Sequence, residues 1–294
     1  MIREAFAAPD VGIEIHNWPP GSADGDAEFQ FRPDTLLTSD TTADAVAEDL
    51  GANFAGFDAR ESPIRGLTVF RVQPRAADEM LDLVESINDR LGPSTVTLDH
   101  VLHISAASCC PAKEPVPVTG VRDPHGLRPD PEVTSHSAAG AGVKVAVVDT
   151  GWLTQVGAQH DWLGDVTGEQ EGPNIGHYTG HGTFVAGVLR TMAPECEVKV
   201  HALFPVGGAV TESEIAPLLV DVLATQPQII SMSAGTRTIE GEVLHGLQAF
   251  RDNYLSQTDT LLVCAAGNDG DQGPFAPASL GWPEAVSVGA LNRA

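Results

Sequence analysis

From Gly142 onward, apolar runs of strand length alternate with stretches of helix length, and this alternation narrows the folding options more than any other feature. Val143–Val148 is nearly continuous in apolar residues, and Val198–Leu203, Ile229–Met232, Leu261–Ala266 and Ala285–Val288 repeat the theme. Between them Thr183–Arg190, Ile215–Leu223 and Val243–Tyr254 read as helices. Strands that are apolar on both sides need cover on both faces, and intervening helices supply the crossovers that parallel pairing requires. The expectation is an α/β fold over residues 140–294 with a mostly parallel, doubly wound sheet.

The preceding sequence divides differently. Residues 1–26 are rich in Gly, Pro and Asp without a sustained period and are expected to form a poorly ordered lead-in. Residues 27–104 read as a small α+β domain. Phe29–Arg32, Leu67–Val72 and Thr95–Ile104 have strand character. Asp40-Thr41-Thr42 caps a helix beginning at Ala43, and Met80, Leu81, Val84, Ile87 and Leu91 mark a second helix closed by Gly92. The β-α-β-α-β order, with room for a fourth strand, suits a ferredoxin-like sandwich. Residues 105–139 carry prolines at 111, 115, 117, 124, 129 and 131, a density that predicts an extended linker.

Charge and cysteine content limit the function classes. The chain has 40 acidic against 16 basic residues, a formal charge of −24 that repels phosphate backbones and argues against nucleic-acid binding. No apolar run approaches the ~20 residues of a membrane span, so no membrane partner is expected. Met1–Phe6 lacks a basic segment followed by an apolar one, so no signal peptide is visible. A cytoplasmic location is expected, with export from a longer precursor as the alternative. Cys109, Cys110, Cys196 and Cys264 form no Cys-x-x-Cys and are read as free, partly buried thiols. No cofactor is required by the sequence. Calcium stays open, because acidic residues abound without EF-hand spacing.

Chemistry concentrates where the strands end, which is where open α/β sheets bind ligands. Asp149-Thr150-Gly151 follows the first strand, Ser231-Met232-Ser233-Ala234-Gly235 closes the third, and Gly267-Asn268 ends the fourth. Gly180-His181-Gly182-Thr183 sits at a helix start. Acyl transfer to water needs a base titrating near neutrality, a carboxylate to fix its tautomer, and donors for the oxyanion. His181, Asp149 and Asn268 can fill those roles, with the Asp149 carboxylate and the His181 ring expected within hydrogen-bonding reach. Asp-Thr-Gly is also an aspartic-peptidase signature, but that chemistry needs a second aspartate and the histidine cluster opposes it. His177 and His181 have a zinc-like spacing, which the glycines around His181 argue against, since the helix only starts there.

These segments resemble, in order, the motifs of subtilisin-like serine peptidases. Val-Val-Asp149-Thr-Gly is similar to the aspartate motif, and Gly180-His181-Gly-Thr-Phe-Val-Ala-Gly-Val to the histidine motif. Ser231-Met-Ser233-Ala234-Gly235 resembles the strand lining the substrate groove, and Ala265-Ala-Gly-Asn268 the oxyanion-hole motif. Pro277-Ala278 and Val286–Ala290 resemble the strand that follows. The resemblance implies a subtilisin-type sheet, incomplete here, preceded by a prodomain that acts as an intramolecular inhibitor. It implies endopeptidase action on polypeptides, with catalytic Asp149 and His181, Asn268 in the oxyanion hole, and substrate held at Ser231, Ser233, Ala234 and Gly235. The family's Gly-Thr-Ser-x-Ala-x-Pro nucleophile motif does not occur in the 294 residues. The chain alone is therefore expected to be inactive, with the serine in an absent C-terminal segment. The rival expectation is a pseudoprotease that grips extended peptides without cutting them.

Overall fold

The computed structural model describes residues 2–104, 117–120, 123–129, 138–160, 163, 165–268 and 273–289. Its first elements are α1 (Ile2–Phe6) and β1 (His16–Trp18). There follow β2 (Phe29–Thr38), α2 (Ala43–Asn53), β3 (Ala59–Ile64), β4 (Leu67–Arg71), α3 (Ala77–Leu91) and β5 (Val96–His103). β2, β3, β4 and β5 pair antiparallel in the order β5-β2-β4-β3, the split arrangement of a β-α-β-β-α-β unit. The expected vacancy for a fourth strand is filled by β3. Its run Arg60-Glu61-Ser62-Pro63 is exposed, as suits a sheet edge, and so carries little apolar signal. The ladder between β2 and β5 slips between Phe31 and Leu36, across Pro33, which has no N–H to give. Gly92, with φ of 119°, closes α3, a conformation costly for any residue with a Cβ.

The expectation of a poorly ordered lead-in is overturned. β1 pairs antiparallel with β2, and Ile2, Phe6 and Ile15 are buried against Val101 and Ala209. A few well-placed apolar side chains suffice to dock this segment, and an average over its Gly, Pro and Asp hides them.

Within the Pro-rich stretch, β6 (Pro117–Gly120) and β7 (Asp123–Pro129) pair as a two-stranded antiparallel ribbon. The rest of that segment, with Cys109 and Cys110, lies outside the described residues.

The next sheet is built from β8 (Lys144–Asp149), β9 (Thr167–Gly168), β10 (Glu197–Ala202), β12 (Ile229–Met232), β13 (Leu261–Ala265) and β14 (Ala285–Val288), and the chain between them forms α4 (Thr154–Gln159), α5 (His181–Met192), β11 (Ala209–Thr211), α6 (Glu212–Ala224) and α7 (His245–Asn253). Its order is β14-β13-β12-β8-β10-β9, parallel throughout. β8 is buried on both faces, as its apolar run predicts. Val145 and Val147 enter one core with Ala186, Val198 and Val200, while Ala146 and Val148 enter another with Ile230 and Met232. From β8 the chain passes to the edge strand β9, fills the gap with β10, and then places β12 on the other side of β8. The strand order therefore reverses between β8 and β12, the position at which open α/β sheets bind ligands at the carboxyl ends of their strands.

The antiparallel sheet has two covered faces as well. Leu36, Phe70 and Leu98 pack with α2 and α3 residues such as Leu50 and Met80. Leu37, Leu67, Val69 and Leu102 on the other face join Ile215, Leu219 and Phe250 of α6 and α7. Each such buried side chain contributes roughly 1.5–3 kcal/mol, so the two sheets are held through one shared core. β11 extends the antiparallel sheet by pairing with β5.

Candidate active site

Asp149 is the last residue of β8 and is fully buried at the point where the strand order reverses. His181 is the first residue of α5, behind Gly180 at φ 86°. The His181 Nδ1 lies 2.7 Å from Asp149 Oδ1, and the Thr150 N–H donates to the same oxygen at 2.8 Å. The His181 side chain keeps 13% of its surface exposed, so its ring is held from behind and open in front. A carboxylate only accepts, so Nδ1 carries the proton and Nε2 presents a lone pair. Burial pushes the imidazolium pKa down, but the charge and hydrogen bond of Asp149, with the charge of Glu171, outweigh it and leave His181 above its ordinary value.

Close backbone approach makes this geometry. A Cβ at Gly182 would sit 2.6 Å from Gly151 O and 3.1 Å from Asp149 Cβ, so glycine lets α5 begin directly against the end of β8.

A second strand ends at the same end of the sheet. β12 ends at Met232, and Ser233, Ala234 and Gly235 continue beyond it. Ser231 pairs with Val147 and Val263 inside the sheet, so its backbone is committed to the ladder. Ala234 is buried in the core. Gly235 holds the end of β5: the His103 N–H donates to Gly235 O at 2.9 Å and the Gly235 N–H to His103 O at 3.1 Å. The Ile104 N–H donates to Gly208 O at 3.0 Å from the opposite side. The end of β5 thus runs as an extended strand between two backbone edges. Gly208, at φ 73°, lies where a Cβ would strike the Tyr178 ring, and a Cβ at Gly235 would strike Ala276 O and the Phe275 ring.

The profile of the Subtilase family matches residues 140–294, more than half of the chain. The chain belongs to the subtilase family. This subtilase is 35% identical over 175 residues to the "Intracellular serine protease" of Paenibacillus polymyxa, covering 52% of this chain and 51% of that protein. It is 28% identical over 187 residues to the "Major intracellular serine protease" of Bacillus subtilis (strain 168), covering 56% of each. It spans about half the length of these curated relatives. Among solved structures, fervidolysin from Fervidobacterium pennivorans, described as a keratinolytic enzyme related to subtilisin, aligns at a TM-score of 0.51 and 16% identity. That alignment covers 87% of this chain and 43% of fervidolysin. The likeness establishes the subtilisin-related α/β fold.

Of the residues singled out from the subtilase's sequence, Asp149 and His181 are in contact, and Ser231 to Gly235 line the neighbouring strand end. Asn268 is exposed three residues beyond β13, at the carboxyl side of the same sheet. Cys264 lies inside β13, where burial pushes its thiol up to about 12, and Cys196 is likewise buried and free. His201 is buried with Nδ1 against Glu169 and Nε2 without a hydrogen-bond partner, and His245 Nε2 faces Ser94 O. Sequence reasoning did not single out Gly208 or Glu171, nor His103 and Ile104 as the residues that lie between the backbones of Gly235 and Gly208. Gly208 and Glu171 stand in polar or glycine-rich loops with no periodicity to single them out.

Proposed function

We propose that this chain carries the base, the orienting carboxylate and the substrate groove of a serine endopeptidase, together with a segment that blocks the groove. The observation that carries the reading is the 2.7 Å contact between His181 Nδ1 and buried Asp149, at the sheet end where the groove strand also finishes.

The mechanism proposed for those positions is acyl transfer to a serine and then to water. A serine hydroxyl gives its proton to His181 Nε2 as its oxygen attacks the substrate carbonyl. Asp149 keeps the ring oriented and favours the imidazolium that forms. The exposed Asn268 amide donates to the tetrahedral oxyanion. The imidazolium then protonates the leaving amine, and a water attacks the acyl-enzyme with His181 again as base. In this reading the nucleophilic serine is supplied from outside these 294 residues, in which no Gly-Thr-Ser occurs.

Polypeptide is the substrate, held by strand addition to the backbone of Ser233, Ala234 and Gly235. The two-way bonding of His103 with Gly235 supports this, because it is how an extended peptide would bind. The same contact supports residues 27–104 as an inhibitory prodomain, tethered at high effective concentration. The names of the two bacterial relatives favour a cytoplasmic location. Among the described residues no helix is long and apolar enough to cross a membrane.

The test is peptide hydrolysis by the longer protein after removal of residues 1–104. His181→Ala and Asp149→Asn should each abolish turnover by orders of magnitude, and Asn268→Ala should lower kcat by about 10²–10³. Tight peptide binding by a folded protein without turnover would instead identify a pseudoprotease.

A further inference from the structure

We propose that Glu171 is a positioning residue for His181, tying the strand end that carries Asp149 to the helix start that carries the histidine. One carboxylate oxygen makes both connections. Glu171 Oε1 accepts from Thr150 Oγ1 at 2.7 Å and from the Gly180 N–H at 2.7 Å. Thr150 Oγ1 in turn accepts from the Gly182 N–H at 3.1 Å. The residue after Asp149 and the residues on either side of His181 are thereby joined through the Glu171 carboxylate and the Thr150 hydroxyl.

The backbone is shaped to bring Glu171 in. Trp152 N–H donates to Glu169 O at 2.8 Å, which lays residues 169–171 along the loop after β8. Gly151, at φ 119°, is where a Cβ would meet the Glu171 Cα and N at 2.9 Å. A glycine is needed there for the close approach as well as for the conformation.

The charge has its own consequence. Asp149 and Glu171 are the charged side chains that act on His181, and both favour its protonated form. Glu171 is itself half-buried. Burial, with the Asp149 charge adding, holds its carboxyl above the ordinary range despite the donors from Thr150 and Gly180. A carboxylate so placed favours the imidazolium without touching substrate. The inference rests on the acyl-transfer reading only for its purpose; the tie itself is a property of the fold.

Glutamine separates the two contributions. Its amide oxygen can accept from both Thr150 and Gly180, because a single Glu171 oxygen does so now, while the charge is removed. Alanine removes charge and tie together. The experiment is an NMR titration of the His181 ring in the 294-residue chain, assigned by loss of its signal in His181→Ala. Glu171→Gln should shift the His181 midpoint downward, and Glu171→Ala should shift it further and speed exchange of the Gly180 and Gly182 amides. A shift in the alanine variant alone would support the tie without the charge. If alanine prevents folding, the glutamine titration decides. A folded Glu171→Gln chain with an unmoved midpoint, when Asp149→Asn moves it downward, together with an alanine variant that is unfolded or likewise unmoved, would overturn the proposal. The readout needs neither substrate nor nucleophile. Failure of the longer protein to cleave peptides would therefore count against the proposed function and leave this inference standing.

Discussion

His103 and Gly235 exchange two backbone hydrogen bonds, so the end of β5 lies against the strand end that follows β12. The pairing is antiparallel, and on its other side the Ile104 N–H bonds to Gly208 O. Both partners of this strand are backbone, so the pairing depends little on which side chains β5 brings.

Removing one donor should loosen it measurably. His103→Pro deletes the N–H that reaches Gly235 O. A backbone hydrogen bond contributes about 1 kcal/mol net, so amide exchange at Gly235 and Ile104 should speed about fivefold or more. Unchanged protection at both amides would show that β5 is held by the shared core alone.

The amino-terminal segment should act as a clasp on this junction. Phe6 and Ile2 bury against Val101 of β5 and Ala209 of β11, the two strands that join the antiparallel sheet to the loop before α6. Phe6→Ala should cost about 3 kcal/mol of local stability. It should appear as faster exchange at the β5–β11 amides, with the Leu98 and Leu36 amides in the sheet's interior spared.

A buried carboxyl at the same junction predicts pH dependence. Asp99 of β5 accepts from the Ser213 N–H at 2.8 Å and from Ser213 Oγ at 2.7 Å at the start of α6. Burial drives its pKa to about 6, against these hydrogen bonds and the Arg32 charge, with Glu214 adding to the rise. Its folded value is raised, so its contribution is fully present below the unfolded pKa of about 4 and is lost as pH rises through about 6. Asp99→Asn should therefore compare more favourably with the parent in urea unfolding at pH 7 than at pH 4. A constant difference across that range would contradict it.

How much of this was legible in the sequence depended on what each residue buries. Strands β8, β12, β13 and β14 were readable because their apolar runs are enclosed or paired in a parallel ladder. Helix α3 was readable from its heptad-like spacing and the glycine at its end. The edge strand β3 was not, because its residues face water. The lead-in was misjudged because Ile2, Phe6 and Ile15 dock singly. Asp149 and His181 were found as motifs, and the structure places them in contact. Glu171 acts through one oxygen on a loop that sequence spacing cannot bring to Gly180. The β5 strand was legible, but not its docking against Gly235, since backbone pairing leaves no side-chain signature.

The Asp149–His181 pair predicts a second pH effect. His181 has a raised folded pKa, so the stability it contributes is full below its unfolded value of about 6.5 and lost as pH rises through the folded value. Asp149→Asn should lower the His181 midpoint and remove that stability at pH 6. An Asp→Asn change in such a triad also costs about 10⁴ in kcat, which peptide hydrolysis by the longer protein would register.

The most direct test of the proposed chemistry is labelling by a fluorophosphonate, which reacts with a serine whose hydroxyl is activated by a neighbouring base. The longer protein, freed of residues 1–104, should label rapidly, and both His181→Ala and Asp149→Asn should suppress the reaction while leaving the fold intact. Labelling that persists in His181→Ala would show that another residue serves as base. A folded protein that contains the serine motif and binds peptide but does not label would contradict the peptidase account.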